Sequence, residues 1–271
     1  MLLISKAYIA IALLLLVSGQ VVVAKHVGIW YMRCNPYTKP DGSQAVGAKG
    51  PCDNGCFAWN SGQQPGTVTY RGPGNRDQDA GCDRKPCNQD TGLPQYNRFG
   101  NTCDEYPMAV TYRGPNNFRT LRCVPNVENS SQGGQLSGFR SRVGLEAGDT
   151  FTQGWMWDKA NAPYFCANAQ AGASNPDHSE FKYTGGVFSN ARRHTRSLTE
   201  SSLFEPIIGT IGRFAGRRDF LMSNGEIATL AASDSTIDIH SFWADGESPL
   251  SIVRELDFAD VVAMVRNATG F

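Results

Sequence analysis

Two short runs carry side chains that could act together on a phosphate ester, Asp104-Glu105 and Glu128-Asn129. Carboxylates and an amide oxygen are hard donors, which suit Mg²⁺, Mn²⁺ or Ca²⁺ and do not suit zinc. A cation that keeps several waters and also takes a phosphate oxygen meets the needs of phosphodiester cleavage, provided that a base stands beside it to orient and deprotonate water. The histidines offer no rival centre. His26, His178, His194 and His240 are scattered outside this stretch and read as structural or surface residues, and no serine stands in a nucleophile-elbow context.

The segment between the two runs explains how they could meet. Tyr106 to Arg113 alternates large and small residues, Gly114-Pro115-Asn116-Asn117 reads as a turn, and Phe118 to Val124 alternates again, so a hairpin is predicted. After Pro125, Glu128-Asn129-Ser130-Ser131 is a set of N-cap residues, and Leu136, Phe139 and Val143 recur at helical spacing. In a hairpin the start of the first strand lies beside the end of the second, so a helix that follows presents its N-terminus to Asp104. Its free backbone N–H groups would attract phosphate as well. Cys103 and Cys123 sit near opposite ends of the two strands and are the first expectation for a disulfide pair.

Cys103-Asp104-Glu105-Tyr106-Pro107-Met108-Ala109, followed by Glu128-Asn129-Ser130-Ser131-Gln132-Gly133-Gly134, resembles the signature of secreted nucleases of the NucA/NucB family. The resemblance is good over Asn101 to Trp157, weak over the cysteine-rich stretch before it and absent from the C-terminal third. It implies an α+β protein with a ββα-metal-like nuclease core in which an aspartate replaces the usual histidine base. Carried onto this chain, it makes Asp104 the base and Asn129 a metal ligand. Glu105 and Glu128 either complete the metal shell or orient Asp104, and Arg113, Gln132 and Gln135 contact substrate or support the site. The implied cofactor is Mg²⁺ or Mn²⁺ and the implied substrate is DNA, with RNA left open. The other reading is a non-enzymatic secreted module, a cysteine-rich effector or binding protein on the same fold; retention of Asp104 together with Asn129 favours the enzyme. Asn129-Ser130-Ser131 is also an N-glycosylation sequon, and a glycan there would abolish the ligand, whereas one at Asn267-Ala268-Thr269 would not.

Composition bounds the rest. Lysine and arginine total 25 against 25 aspartates and glutamates, so attraction to a polyanion must come from a local patch. Arg113, Arg119, Arg122, Arg140 and Arg142, with Glu128 as the acid among them, supply a candidate. All 8 cysteines lie between Cys34 and Cys166 and read as disulfides of an exported chain. Cys52-x3-Cys56 and Cys82-x4-Cys87 have zinc-like spacing but no neighbouring histidine. Lys6, the apolar run Ala7 to Val17 and then Val22-Val23-Ala24 form a leader with a small-residue cleavage site. That run is shorter than the roughly 18 apolar residues of a membrane span. Residues 1–24 are therefore expected to be removed and the protein secreted, with no membrane or protein partner evident.

Residues 25–167 are expected to form the nuclease domain, loop-rich and disulfide-braced from Asn35 to Gly100, with a further strand at Phe151 to Trp157. Ala171 to Pro176 reads as a connector and Arg192 to Arg196 as a solvated basic loop. Residues 168–271 form a Cys-free, β-rich extension of unassigned role. It is expected to hold a hairpin from Phe220 to Leu230 around Ser223-Asn224-Gly225, a strand containing Ile237, Ile239 and Trp243, and an amphipathic helix over Ser251 to Arg266.

Overall fold

Thr150–Trp157 (β7) is buried at every position but the first, as a strand must be when both of its faces and both of its edges are covered. A computed structural model describes residues 24–39, 41–61, 65–74, 81–113, 119–168, 177–191, 217–231 and 252–269. The leader before Ala24, the turn at 114–117, the connector at 171–176, the basic loop at 192–196 and the strand around 237–243 lie outside the described residues.

One edge of β7 pairs in parallel with β1, His26–Arg33. The other pairs antiparallel, first with β4, Thr67–Thr69, and further along with β11, Ile227–Ala231. Beyond β11 come β10, Arg217–Met222, and β12, Ile252–Leu256, completing a six-stranded sheet. A second, antiparallel sheet runs β5 (Thr102–Tyr106), β6 (Thr120–Val124), β8 (Glu180–Thr184) and β9 (Val187–Asn190). A small hairpin, β2 (Tyr37–Thr38) with β3 (Gln44–Ala45), stands apart. The fold is thus α+β, and it contains β5, β6 and the helix Asn126–Val143 in succession, an order compatible with the expected ββα core. The described residues past 168 build no sheet of their own: β8 extends the sheet of β5 and β6, and β11 extends that of β7.

Helix α1, Lys49–Asn60, lies within the stretch expected to be loop-rich and corrects that expectation. Its sequence, with two glycines, a proline and three residues of Asp-Asn type, is a poor helix former by itself. Tertiary contacts outweigh propensity. Residues Gly50 to Ala58 are all buried, Cys52 is bonded to Cys34 and Cys56 to Cys166. The glycines are there for contact: a Cβ on Gly55 would lie 2.8 Å from the Trp155 ring, and one on Gly50 would lie 2.7 Å from the Val124 side chain. Trp30, Phe57, Phe139, Phe151, Trp155 and Trp157 form the core around it.

Several other expectations change. The first hairpin strand is Thr102–Tyr106 and ends where Pro107, lacking an N–H, cannot continue the ladder, so Asp104 and Glu105 lie within the strand. The helix starts at Asn126, directly after Pro125, which puts Glu128 and Asn129 in its first turn (α3, Asn126–Val143; the short α2 is Pro94–Asn97). Cys103 and Cys123 are directly opposed in the ladder, yet each is bonded to the preceding loop, as Cys82–Cys103 and Cys87–Cys123. Both partners come from the chain that covers that face of the sheet, where Cys87, Tyr96, Leu121 and Phe181 form a separate apolar cluster. The arginine patch also dissolves, because Arg119 is 1% exposed and Arg122 is ion-paired within the fold. At the C-terminal end, β12 precedes a shorter helix, α5 (Phe258–Thr269), which begins where the Asp257 carboxylate accepts from the Asp260 N–H at 2.7 Å. The hairpin around Ser223-Asn224-Gly225 is present as β10 and β11. Among the described residues no helix is long and apolar enough to cross a membrane.

Cross-linking entropy grows with loop length, so the bridge spanning 110 residues, Cys56–Cys166, should contribute more than the 18-residue Cys34–Cys52 bridge. Replacing the former pair by serine should cost about 1.5 kcal/mol more than replacing the latter. Urea denaturation of the two double variants tests the order.

Candidate active site

Alternation along β5 and β6 sends Asp104 and Arg122, which are register partners, to the face covered by α1. Asp104 is 2% exposed. From α1, Asn54 donates its Nδ2 to Asp104 Oδ2 at 2.8 Å and to the Thr120 carbonyl at 3.1 Å. Asp104 Oδ1 is buried and, among the described residues, has no partner at full hydrogen-bond geometry, although Gln132 lies near enough to lower the carboxyl's pKa. Burial pushes the Asp104 pKa up to about 6, against the opposing pull of Asn54, Gln132, the Glu105 backbone N–H and the Arg122 charge. Asp104 is thus a core residue.

Asp104 stands at the wall of a cavity of about 530 Å³, also lined by Glu105, Asn129, Gln132, Asp83 and the Cys82–Cys103 bridge. Asn129, half-buried in the first turn of α3, donates Nδ2 to the Cys103 carbonyl at 3.2 Å, which leaves its amide oxygen unengaged among the described residues. Glu105 Oε2 lies 3.7 Å from Arg119 Nε. Arg119 in turn donates to the carbonyls of Pro107, of Met108 at 2.7 Å and of Thr111 at 2.6 Å, so it fixes both Glu105 and the chain leaving β5.

A charged cluster lies behind the cavity. Arg122 pairs with Glu180 from β8 and, at 3.5 Å, with Asp53 from α1. Burial pushes Glu180 up to about 7 and raises Asp53, while the guanidinium pulls both down. Burial also works against the charge of Arg122, but Glu180 and Asp53 outweigh it and its pKa is raised. Asp53 further accepts from the Phe165 N–H at 2.8 Å, anchoring the short helix α4, Tyr164–Ala167.

Of the residues singled out from sequence, Asp104, Glu105, Asn129 and Gln132 meet at this cavity, and Glu128, Gln135 and Arg113 are not among its lining. Glu128 Oε2 accepts from the Gly50 N–H at 2.5 Å, capping α1 from a neighbouring element. Gln135, 5% exposed, bonds both ways to the backbone of Arg33, accepting from N at 2.7 Å and donating to O at 3.2 Å. His26 and His178 are hydrogen-bonded at the surface, to Thr150 and Asn190, and His194 and His240 lie outside the described residues. Asn54, Arg119 and Arg122 were not singled out as site residues. Asn54 lies 50 residues from Asp104 in sequence, within a stretch whose composition hides a helix, so no local signal marks it.

Carboxylates and amides line the cavity, those of Asp83, Asp104, Glu105, Asn126, Asn129 and Gln132. That set fits a hard, hydrated divalent cation. Among the described residues no group of three or more His, Cys, Asp or Glu is placed to hold a metal ion. Residues 55–153 match the model of the family described as Deoxyribonuclease NucA/NucB. No curated protein and no solved structure matches the chain.

Two stability measurements follow from this geometry. The folded chain binds the Asp104 proton more tightly than the unfolded chain does, so wild type loses stability as pH rises from about 4 through 6. In EDTA, Asp104→Asn should be the more stable protein at pH 8, by up to about 3 kcal/mol, and the gap should close near pH 4. A pH-independent difference would show that the carboxylate is not held in its disfavoured form. Glu128→Ala should lower stability by about 1 kcal/mol through loss of the α1 cap, as read by thermal unfolding.

Proposed function

Residues 55–153 of this chain are a deoxyribonuclease domain of the NucA/NucB family, and we propose that the protein is secreted and hydrolyses extracellular DNA with Asp104 as general base. The observation that carries this reading is the buried Asp104 Oδ1, without a partner at full hydrogen-bond geometry among the described residues, beside an open cavity, with the other oxygen held by Asn54. A pKa near 6 makes this carboxylate a better proton acceptor than an ordinary aspartate while leaving it ionised at neutral pH.

In the proposed step, Asp104 Oδ1 takes a proton from a water in the cavity as that water's oxygen bonds to phosphorus, and the opposite P–O bond breaks. The departing oxygen leaves with the bond's electron pair and is protonated from solvent. Asn54 holds Oδ2 and so keeps the carboxylate in one orientation, which leaves Oδ1 as the oxygen assigned to accept the proton. The N-terminus of α3, where Asn126 and Asn129 border the cavity, favours a phosphate there. Asn129 and Glu105 are the residues placed to hold Mg²⁺ or Mn²⁺. When bound, such an ion supplies Lewis-acid stabilisation of the charge on the phosphate oxygens. Glu128 supports the site by capping α1, the helix that carries Asn54.

Export is supported by the disulfides: all 8 cysteines are paired in four bridges, and none is free. The leader read in residues 1–24 supplies the route. Asn129 carries no glycan in this reading, because its Nδ2 is engaged with the Cys103 carbonyl, whereas Asn267 is exposed on α5 and free to accept one.

Plasmid cleavage by the purified mature chain tests the proposal. Activity should require Mg²⁺ or Mn²⁺ and disappear in EDTA. Asp104→Asn should lower kcat by about 10² to 10⁴, and Asn129→Ala should shift the metal titration to higher concentration, with partial recovery at saturation. Cleavage by Asp104→Asn at close to the wild-type rate would remove Asp104 from its assigned role.

A further inference from the structure

A second groove, of about 470 Å³, lies on the far side of Ser130 from the catalytic cavity, between α3 and the hairpin of β2 and β3. Lys39 and Arg142 line it, and no acidic side chain does. Neither cation makes an ion pair among the described residues. Asp41, close to Lys39 in sequence, accepts from the Ser43 N–H at 2.9 Å and hydroxyl at 2.6 Å; it feels the Lys39 charge but forms no ion pair with it and does not line the groove. The groove is thus positive and continuous with the place where a polyanion is cut.

The helix wall adds an independent sign. Gly133, Gly134 and Gly138 lie inside α3, where each costs about 1 kcal/mol relative to alanine. Packing does not explain them: a Cβ at any of the three would meet nothing within 4 Å, unlike one at Gly50 or Gly55. Gly133 lines the catalytic cavity, and Gly134 and Gly138 line the groove. A helix kept bare along one face, beside two unpaired cations, is suited to close approach by a ligand backbone. From Ser130 to Arg142 the helix rises about 18 Å, over which a nucleic-acid strand presents several phosphates.

We propose that this groove holds the sugar–phosphate backbone of the DNA strand flanking the scissile bond, with Lys39 and Arg142 each paired to a phosphate. The inference rests on the nuclease reading of the neighbouring cavity and extends it by assigning the track along which the cleaved strand runs beyond the scissile bond. Contacts to backbone alone carry no sequence information, so the groove contributes affinity without base preference.

The test is binding of a labelled DNA oligonucleotide to the full mature chain in EDTA, followed by fluorescence anisotropy over a salt series. Read this way, it is independent of whether Asp104 performs the chemistry, which the plasmid assay measures. Lys39→Ala/Arg142→Ala should weaken binding roughly tenfold or more at about 0.1 M salt, and lower the slope of log K against log salt by about 0.7 to 0.9 per lost contact. Gly138→Glu, which fills open space with a better helix former, should stay folded and weaken binding at least as much. Lys159→Ala/Arg266→Ala, removing two cations that line neither cavity, is the control for net charge. Wild-type affinity and slope in the groove variants would overturn the proposal. So would an equal loss in the control, or displacement of the oligonucleotide by polyglutamate as readily as by unlabelled DNA.

Discussion

Charges removed from water have to be answered by other groups, and behind the catalytic cavity three carboxylates, Asp53, Asp104 and Glu180, gather around the single guanidinium of Arg122. One cation cannot fully satisfy three anions in a dry interior, so the remainder appears as raised carboxylate pKa values. Asp104, the member that borders the cavity, is thereby kept close to the point where it exchanges a proton at neutral pH. The other two are locked by the guanidinium and, in the case of Asp53, by the start of α4. This cluster also explains why α1 must be where it is, since that helix brings both Asp53 and Asn54 to the sheet.

The cluster draws on parts of the chain far apart in sequence. Asp53 comes from the cysteine-rich part, Asp104 and Arg122 from the hairpin, and Glu180 from a strand well beyond residue 153, where the family match ends. The C-terminal segment also provides β11, which covers the second half of one edge of β7. These later strands are therefore part of the structure that supports the site, although the motifs that resemble the family lie upstream of them.

What could be read from the residues was whatever is local. Asp104-Glu105 and Glu128-Asn129 flank one hairpin, and hairpin geometry alone brings Asp104 and Asn129 to one cavity. The strand at Phe151 to Trp157 and the turn at Ser223-Asn224-Gly225 were legible for the same reason. Contacts that depend on distant partners were not. Helix α1 has the composition of a loop and becomes a helix because disulfides and close glycine contacts hold it. Arg119 and Arg122 look like surface cations until carbonyls and carboxylates from other segments surround them. Glu128 was legible as an acid at a helix start, but the helix whose N-terminus it caps is a different one.

The two bridges that grip α1 have a consequence for the cell that makes the protein. Asn54 lies between Cys52 and Cys56, so the residue that orients the base is held on a helix of poor intrinsic stability whose grip depends on oxidised sulfur. In the reducing interior of a producing cell those bridges do not persist, and Asp104 would lack its fixed partner. On the proposed reading, oxidation of these bridges would itself be the step that arms the chain, since activity would follow only once they have formed.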